Sequence, residues 1–242
     1  MILCGYMPDR RTEWFVPSFG PERFRVAIGL LFLPYTGMVL SFTVIGSMLA
    51  PAVHWDRVAA IVLIYFLGLG IGAHALDAVG SRGARPWGQV FSRRQLWGLA
   101  VVSLVGAYSI AIWYMVRDTP LLWLIAIPEG FFLLAYNLEW FGGRFHRDSW
   151  FALSWGALPV LAGYVLQTNA ISASAVVVAA AMALLSLVEI RASRPYKELK
   201  RAIASGGTAQ TAHAMHLEGI LRSLSAGVIV LGVGLLAFRL WG

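Results

Sequence analysis

Charge is scarce in this sequence. Only 13% of its 242 residues are Asp, Glu, Lys or Arg, where ordinary soluble domains carry roughly 25%. With 59% hydrophobic residues and a mean hydropathy of +0.71, a water-soluble domain is excluded. Cysteine is nearly absent: Cys4 stands alone, which rules out an internal disulfide framework and leaves the compartment open. The mixed residues 1–23 contain Asp9, Glu13 and Glu22 and show no cleavable signal peptide. Gly-x-Ser-x-Gly, Walker, Gly-x-Gly-x-x-Gly and paired Cys-x-x-Cys patterns are missing, so a Ser-His-Asp hydrolase has no specific support.

What is present is a series of apolar runs close to the roughly 20 residues that a helix needs to cross a bilayer. They are far too long for barrel strands. The fold class expected is all-α, a polytopic transmembrane helix bundle of about seven spans, near 24–50, 57–79, 95–116, 120–138, 149–167, 170–190 and 219–240. Pro34 and Pro159 fall inside the first and fifth spans, which membrane helices tolerate when neighbours satisfy the freed carbonyls. Residues 1–23, with Trp14, Phe15 and Phe19 among arginines, are expected to lie at the interface. Residues 24–242 form one transmembrane domain.

The charge that exists is placed unevenly. Of 19 Lys and Arg residues, only Arg57, Arg117 and Arg239 fall on one side of the seven-span arrangement, leaving 16 on the other. By the positive-inside rule this predicts a cytoplasmic-membrane protein with the N-terminus inside and the C-terminus outside. The net charge of +7 sits in short loops, where topology and anionic lipid headgroups explain it better than nucleic acid does. The outer loops are almost too short to do more than turn, so the polar chemistry belongs to the inner ones, near 80–94, 139–148 and 191–218. In the last of these, Arg194-Pro195 is expected to start a separate basic amphipathic helix, broken at Gly206-Gly207. A second short helix with His213, His216 and Glu218 then leads into the final span.

The stretch from Gly72 to Gln95 organises the chain. It gathers His74, Asp77, Arg82, Arg85, Arg93 and Arg94 between two apolar runs. Charges so near hydrocarbon usually pair, bind something or line a wet cavity. The plainer reading is a topogenic loop, which suits the arginines but not His74 and Asp77, one helical turn apart on one face. Glu129, between Pro128 and Gly130 in the fourth span, is a second candidate, against a carboxyl that merely bonds a backbone group freed by the proline. Tyr136, Asn137 and Glu139 end that span. His146 and Asp148 open the fifth, where Asp148 is a natural cap. Glu189 and Arg191 end the sixth, as site residues or as an ordinary interfacial pair. His213 and His216 have ligand spacing, although solvated histidines on a polar helix are commoner.

Three places resemble the UbiA-type membrane prenyltransferase superfamily. Arg85-Pro86-Trp87-Gly88-Gln89-Val90-Phe91-Ser92-Arg93-Arg94-Gln95 is similar to the Arg-Pro, glycine turn and helix start that follow the family's Asn-x-x-x-Asp-x-x-x-Asp motif. Ala135-Tyr136-Asn137, followed by Trp155-Gly156-Ala157-Leu158-Pro159, is similar to a second region, and the acidic end of the sixth span to a third. Ala73, Asp77 and Ser81 occupy the first motif's positions, and Glu189 and Ser193 those of the second. One carboxylate per motif therefore remains, and the chain has seven spans where many members have eight or nine.

The resemblance implies a UbiA-like bundle that transfers or cyclises a prenyl group from an isoprenoid diphosphate, with a lipophilic acceptor and Mg2+. It implies Asp77, Glu189, Tyr136 and Asn137 as catalytic residues, and Asp77, Glu189 and neighbouring His74 at the metal. Arg82, Arg85, Arg191, Arg194 and Lys197 would take the diphosphate. Trp140 and Trp155, with Tyr136, would face an allylic cation. Two alternatives stand beside it. One is a metal-dependent lipid enzyme built from His74, Asp77, Glu139, His146, Glu189 and the His213/His216 pair; the other is a non-catalytic lipid-binding or transport protein.

Overall fold

The computed structural model describes residues 10, 13–80, 87, 90–204 and 211–242. Among them, seven helices are long and apolar enough to cross a membrane, as the apolar runs predict. They are α1 (Glu22–Met48), α2 (Trp55–Gly80), α3 (Arg93–Arg117), α4 (Pro120–Asn137), α5 (Asp148–Thr168), α6 (Ala173–Ala204) and α7 (Thr211–Trp241). No strand occurs among the described residues. The protein is an integral membrane protein.

Burial separates central helices from peripheral ones. The apolar window of α5 is 72% buried and that of α1 61%, against 28% for α3 and 22% for α7. Helices α1 and α5 cross at the centre, with α2, α3 and α4 on one side and α6 and α7 on the other. The outward faces of α3 and α7 carry Val102, Trp113, Val230 and Phe238, apolar side chains suited to lipid.

Several local interruptions decide where the polar residues go. Helix α1 breaks at Leu31–Phe32, where Phe32 takes φ 45° just ahead of Pro34, which cannot donate a backbone hydrogen bond. The break frees the Leu31 carbonyl, and the Thr36 hydroxyl donates to it at 2.6 Å. Residues Phe66–Ala73 of α2 and Ala152–Ala157 of α5 are π-helical, a widening common beside functional sites. The α3 start is a capping box: Gln95 N donates to Ser92 Oγ at 3.2 Å, and Ser92 N to Gln95 Oε1 at 2.9 Å.

Two expectations are corrected. Helix α6 does not end near 190 and restart at Pro195; it runs unbroken through the proline to Ala204. The turn that Pro195 weakens is held from outside. Arg194 pairs with Asp148 on α5 at 3.1 Å, and the buried Tyr196 hydroxyl sits 2.9 Å from Glu13 and 3.1 Å from Glu218. Likewise, His213, His216 and Glu218 belong to α7 itself rather than to a separate helix. The expected break at Gly206-Gly207 lies outside the described residues.

The described part of the N-terminal segment packs against the bundle. Glu13 and Val16 are buried, Trp14 and Phe15 pack edge-on against Tyr35, and Arg222 lies over the Trp14 ring. Phe19 alone of the three aromatics is strongly exposed.

Candidate functional site

A cavity of about 300 Å³ opens among α1, α2, α4, α5 and α6 at the cation-rich end of the bundle. That volume lies at the low end for small-ligand sites. Asp77 from α2 and Glu189 from α6, 112 positions apart in the chain (189 − 77), both line it.

The geometry follows from the interruptions already described. The π-helical segment of α2 hands over directly to His74–Gly80. Gly80 then lets α2 meet the end of α4, since a Cβ there would collide with the Asn137 carbonyl. That contact sets Asp77 beside Tyr136 and Asn137. Asn137 Nδ2 donates to Leu133 O at 2.7 Å, which leaves its carbonyl oxygen available to the cavity. Beyond α4 the chain turns through Glu139, Phe141, Gly142 and Gly143, all at positive φ. This turn returns His146 to stack on Tyr136, 4.3 Å between ring centroids, with Nδ1 3.2 Å from the Tyr136 carbonyl.

Phe32 forms one wall. Its ring stacks on His74 at 4.6 Å, while the Lys197 ammonium lies 6.0 Å and the Arg10 guanidinium 5.4 Å from its centroid. Thr36 Oγ1 lies 3.4 Å from His74 Nε2. Because the Thr36 hydroxyl proton goes to Leu31, the imidazole donates here, and Nδ1 is the free acceptor. Arg10 also pairs with Asp77 at 3.4 Å. On the opposite wall Tyr136, Phe151 and Trp155 form an aromatic group, with Phe151 stacked on Trp155 at 5.2 Å.

The expected site residues separate cleanly. Asp77, Glu189, Tyr136, Asn137, His74, Arg194, Lys197 and Trp155 all line the cavity. Arg191 and Trp140 do not; both are exposed, Arg191 because it lies two positions from Glu189 and so faces away on a helix. Glu189 and Arg191 are thus no interfacial pair: Glu189 is only 6% exposed. Asp148 does not cap α5 with its side chain but holds Arg194. Arg82 and Arg85 lie outside the described residues. His213 and His216 are exposed on α7, away from the cavity. Arg10, Phe32, Ser193, Glu198 and Arg201 join the lining; Pro34 was the only sequence signal near Phe32, and none marked Arg10.

Among the described residues no group of three His, Cys, Asp or Glu side chains is placed to hold a metal ion. A zinc- or iron-type centre made of protein ligands therefore has no donor set there. Mg2+ asks for less, being held commonly by one or two carboxylates and by substrate phosphates. The oxygen donors of Asp77 and Glu189 fit that role, whereas the nitrogen of His74 does not suit so hard a cation. No protein-family model matches the chain, and no curated protein or solved structure does.

Proposed function

We propose that this chain is a UbiA-like membrane enzyme that transfers or cyclises a prenyl group from an isoprenoid diphosphate. The observation that carries the reading is the shared cavity: the single acids of two separate motifs, Asp77 and Glu189, face one space with Arg194 and Lys197. An anionic head group with an apolar tail suits the contrast between that charged rim and the Tyr136–Phe151–Trp155 wall. The Arg194 guanidinium, anchored through Nε to Asp148, and the Lys197 ammonium hold the diphosphate. Asp77 and Glu189 would hold Mg2+, which would supply further charge neutralisation on the leaving group.

In the reaction the allylic C–O bond breaks, and the electron pair leaves with the diphosphate. Fixed positive charge from Arg194 and Lys197 stabilises that departure. The Tyr136 and Trp155 rings, whose centroids lie 5.1 Å apart, present aromatic surface that stabilises the allylic cation. A lipophilic acceptor, or a double bond of the same chain, then attacks it and loses a proton. The cation-rich end faces the cytoplasm in this reading, with the N-terminus inside.

The test is a thermal-shift titration of the purified chain with a prenyl diphosphate, with and without Mg2+. Wild type, Asp77→Asn, Glu189→Gln and the double variant are compared. Stabilisation follows occupancy, so wild type shifts upward with Mg2+ present and each single variant loses most of the shift. The double variant adds little, because groups sharing one ion are non-additive. Magnesium-independent binding in all four assigns the phosphate to the cations alone. Absence of binding to wild type removes the prenyl-transfer reading.

A further inference from the structure

A second cavity, of about 60 Å³, lies among α2, α3, α4 and α5. It shares only Leu69 with the lining of the polar one. Its wall is aliphatic apart from Tyr65, Tyr108 and Glu129, and it contains no Lys, Arg or His. Both Glu129 oxygens are buried and have no hydrogen-bond partner among the described residues.

The surroundings explain why the carboxyl is left over. Pro128 removes one backbone donor from this turn of α4. The Tyr108 hydroxyl lies directly over Gly130, where any Cβ would collide with it, and donates to the Ala126 carbonyl at 3.1 Å. Tyr108 is therefore committed to the backbone and not to Glu129. The plainer alternative, in which Glu129 bonds a backbone group freed by the proline, is not met. A buried polar group with no partner costs about 1–3 kcal/mol, so its retention at membrane depth asks for a ligand or for water.

We propose that this cavity is a second binding site, which takes the amino group of a lipid-soluble alkylamine and holds it against Glu129. Ala126, Gly130 and Tyr108 are only half-buried, so access runs from the bilayer through the α3–α4 seam. A neutral amine meeting the acid, or an ammonium meeting the carboxylate, gives the same net-neutral pair, with the proton on nitrogen. The ammonium satisfies both orphan oxygens, and the Tyr65 and Tyr108 rings supply cation–π contact. An alcohol offers one donor only, and a fatty acid adds like charge. The volume admits the amino end of the molecule, and the remaining chain lies along the seam.

The test uses the full chain in detergent with n-hexylamine, n-hexanol and hexanoate at equal concentrations. Thermal stability and the infrared carboxyl stretching band are followed together. Hexylamine should stabilise wild type saturably and shift the carboxyl band, while the alcohol acts weakly and the acid not at all. Glu129→Gln should weaken the amine by about tenfold or more, as charge-assisted hydrogen bonds require. Glu189→Gln, in the other cavity, should respond as wild type does, which keeps this result separate from the diphosphate titration. Equal stabilisation by all three probes, or an amine response that survives Glu129→Gln, overturns the proposal. If Glu129→Gln does not fold, the wild-type band decides: a carboxyl band unmoved by hexylamine means water alone fills the cavity.

Discussion

The Phe32 ring lies flat against the His74 imidazole, 4.6 Å between centroids and 22° from parallel, although Phe32 itself is held at φ 45°. A non-glycine residue in this left-handed region carries steric strain of about 1–2 kcal/mol. The ring's contacts with His74, Phe15 and Trp87 hold it there. In an ordinary helix alanine is more stable than glycine by about 1 kcal/mol. At position 32 that order should invert. Both Phe32→Ala and Phe32→Gly lose the ring, at about 3–5 kcal/mol, but the glycine variant should unfold at the higher temperature. An alanine variant that melts higher would mean that the backbone is unstrained.

Arg10 and Asp77 form a partly exposed pair, with side chains 20% and 33% exposed. Such pairs contribute about 0–1 kcal/mol, so Arg10→Ala should barely move the melting temperature. Its effect on ion binding should be larger, since a cation 3.4 Å from Asp77 competes with any divalent ion there. Mn2+ binding, followed by electron paramagnetic resonance without diphosphate, should tighten about tenfold if even 1.4 kcal/mol of repulsion is removed. Unchanged Mn2+ affinity would place the ion away from Asp77.

The spans were legible in the sequence because hydropathy over about 20 residues reports burial in lipid directly. The α3 helix starts at Arg93, two positions before the expected span, because Ser92 and Gln95 close a capping box ahead of the apolar run. The continuity of α6 was not legible, because a proline reads as a boundary, whereas Tyr196 and Arg194 hold the following turn through partners at positions 13, 148 and 218. The same distinction runs through the cavity. Asp77 and Glu189 were visible as charges at the ends of apolar runs. Arg10 and Phe32 were not, since what makes them wall residues is a helix break and a segment folded back over it. Arg191 and Trp140 had suitable chemistry on faces that turn outward.

Helices α1 and α5 approach each other closely at two glycines. A Cβ on Gly163 would collide with the Thr43 carbonyl, and one on Gly46 with the Val160 carbonyl; small residues commonly permit such close approach in membranes. Gly227 on α7, by contrast, has nothing within 4 Å of an added Cβ. Gly163→Ala should therefore destabilise by about 1–3 kcal/mol through overpacking. Gly227→Ala should stabilise by about 0.5–1 kcal/mol through backbone entropy alone. Thermal unfolding of the two variants checks the sign: a neutral Gly163→Ala would show that the helices stand farther apart.

The two ends of the bundle are tied by different chemistry, and this gives the topology its test. At the cation-poor end, Arg239 donates to the carbonyls of Met48 and Ala50, and Arg57 donates to those of Leu166 and Gln167. All of that end's Lys and Arg except Arg117 are thereby committed to helix termini. Arg117 itself lies over Trp113, 4.5 Å from the ring centroid. The other end carries the cations around the cavity. If the excess cations face the cytoplasm, Arg93→Cys and Arg144→Cys, each in a Cys4→Ser background, should be shielded from a membrane-impermeant thiol reagent added to intact cells. Ala170→Cys, exposed at the opposite end, should react. All three should react once the membrane is opened. Labelling of position 93 or 144 from outside, with 170 protected, would reverse the orientation and move the polar cavity to the outer face. It would leave the seven helices as they are, but a cytoplasmic isoprenoid diphosphate would then have no direct access to Asp77 and Glu189.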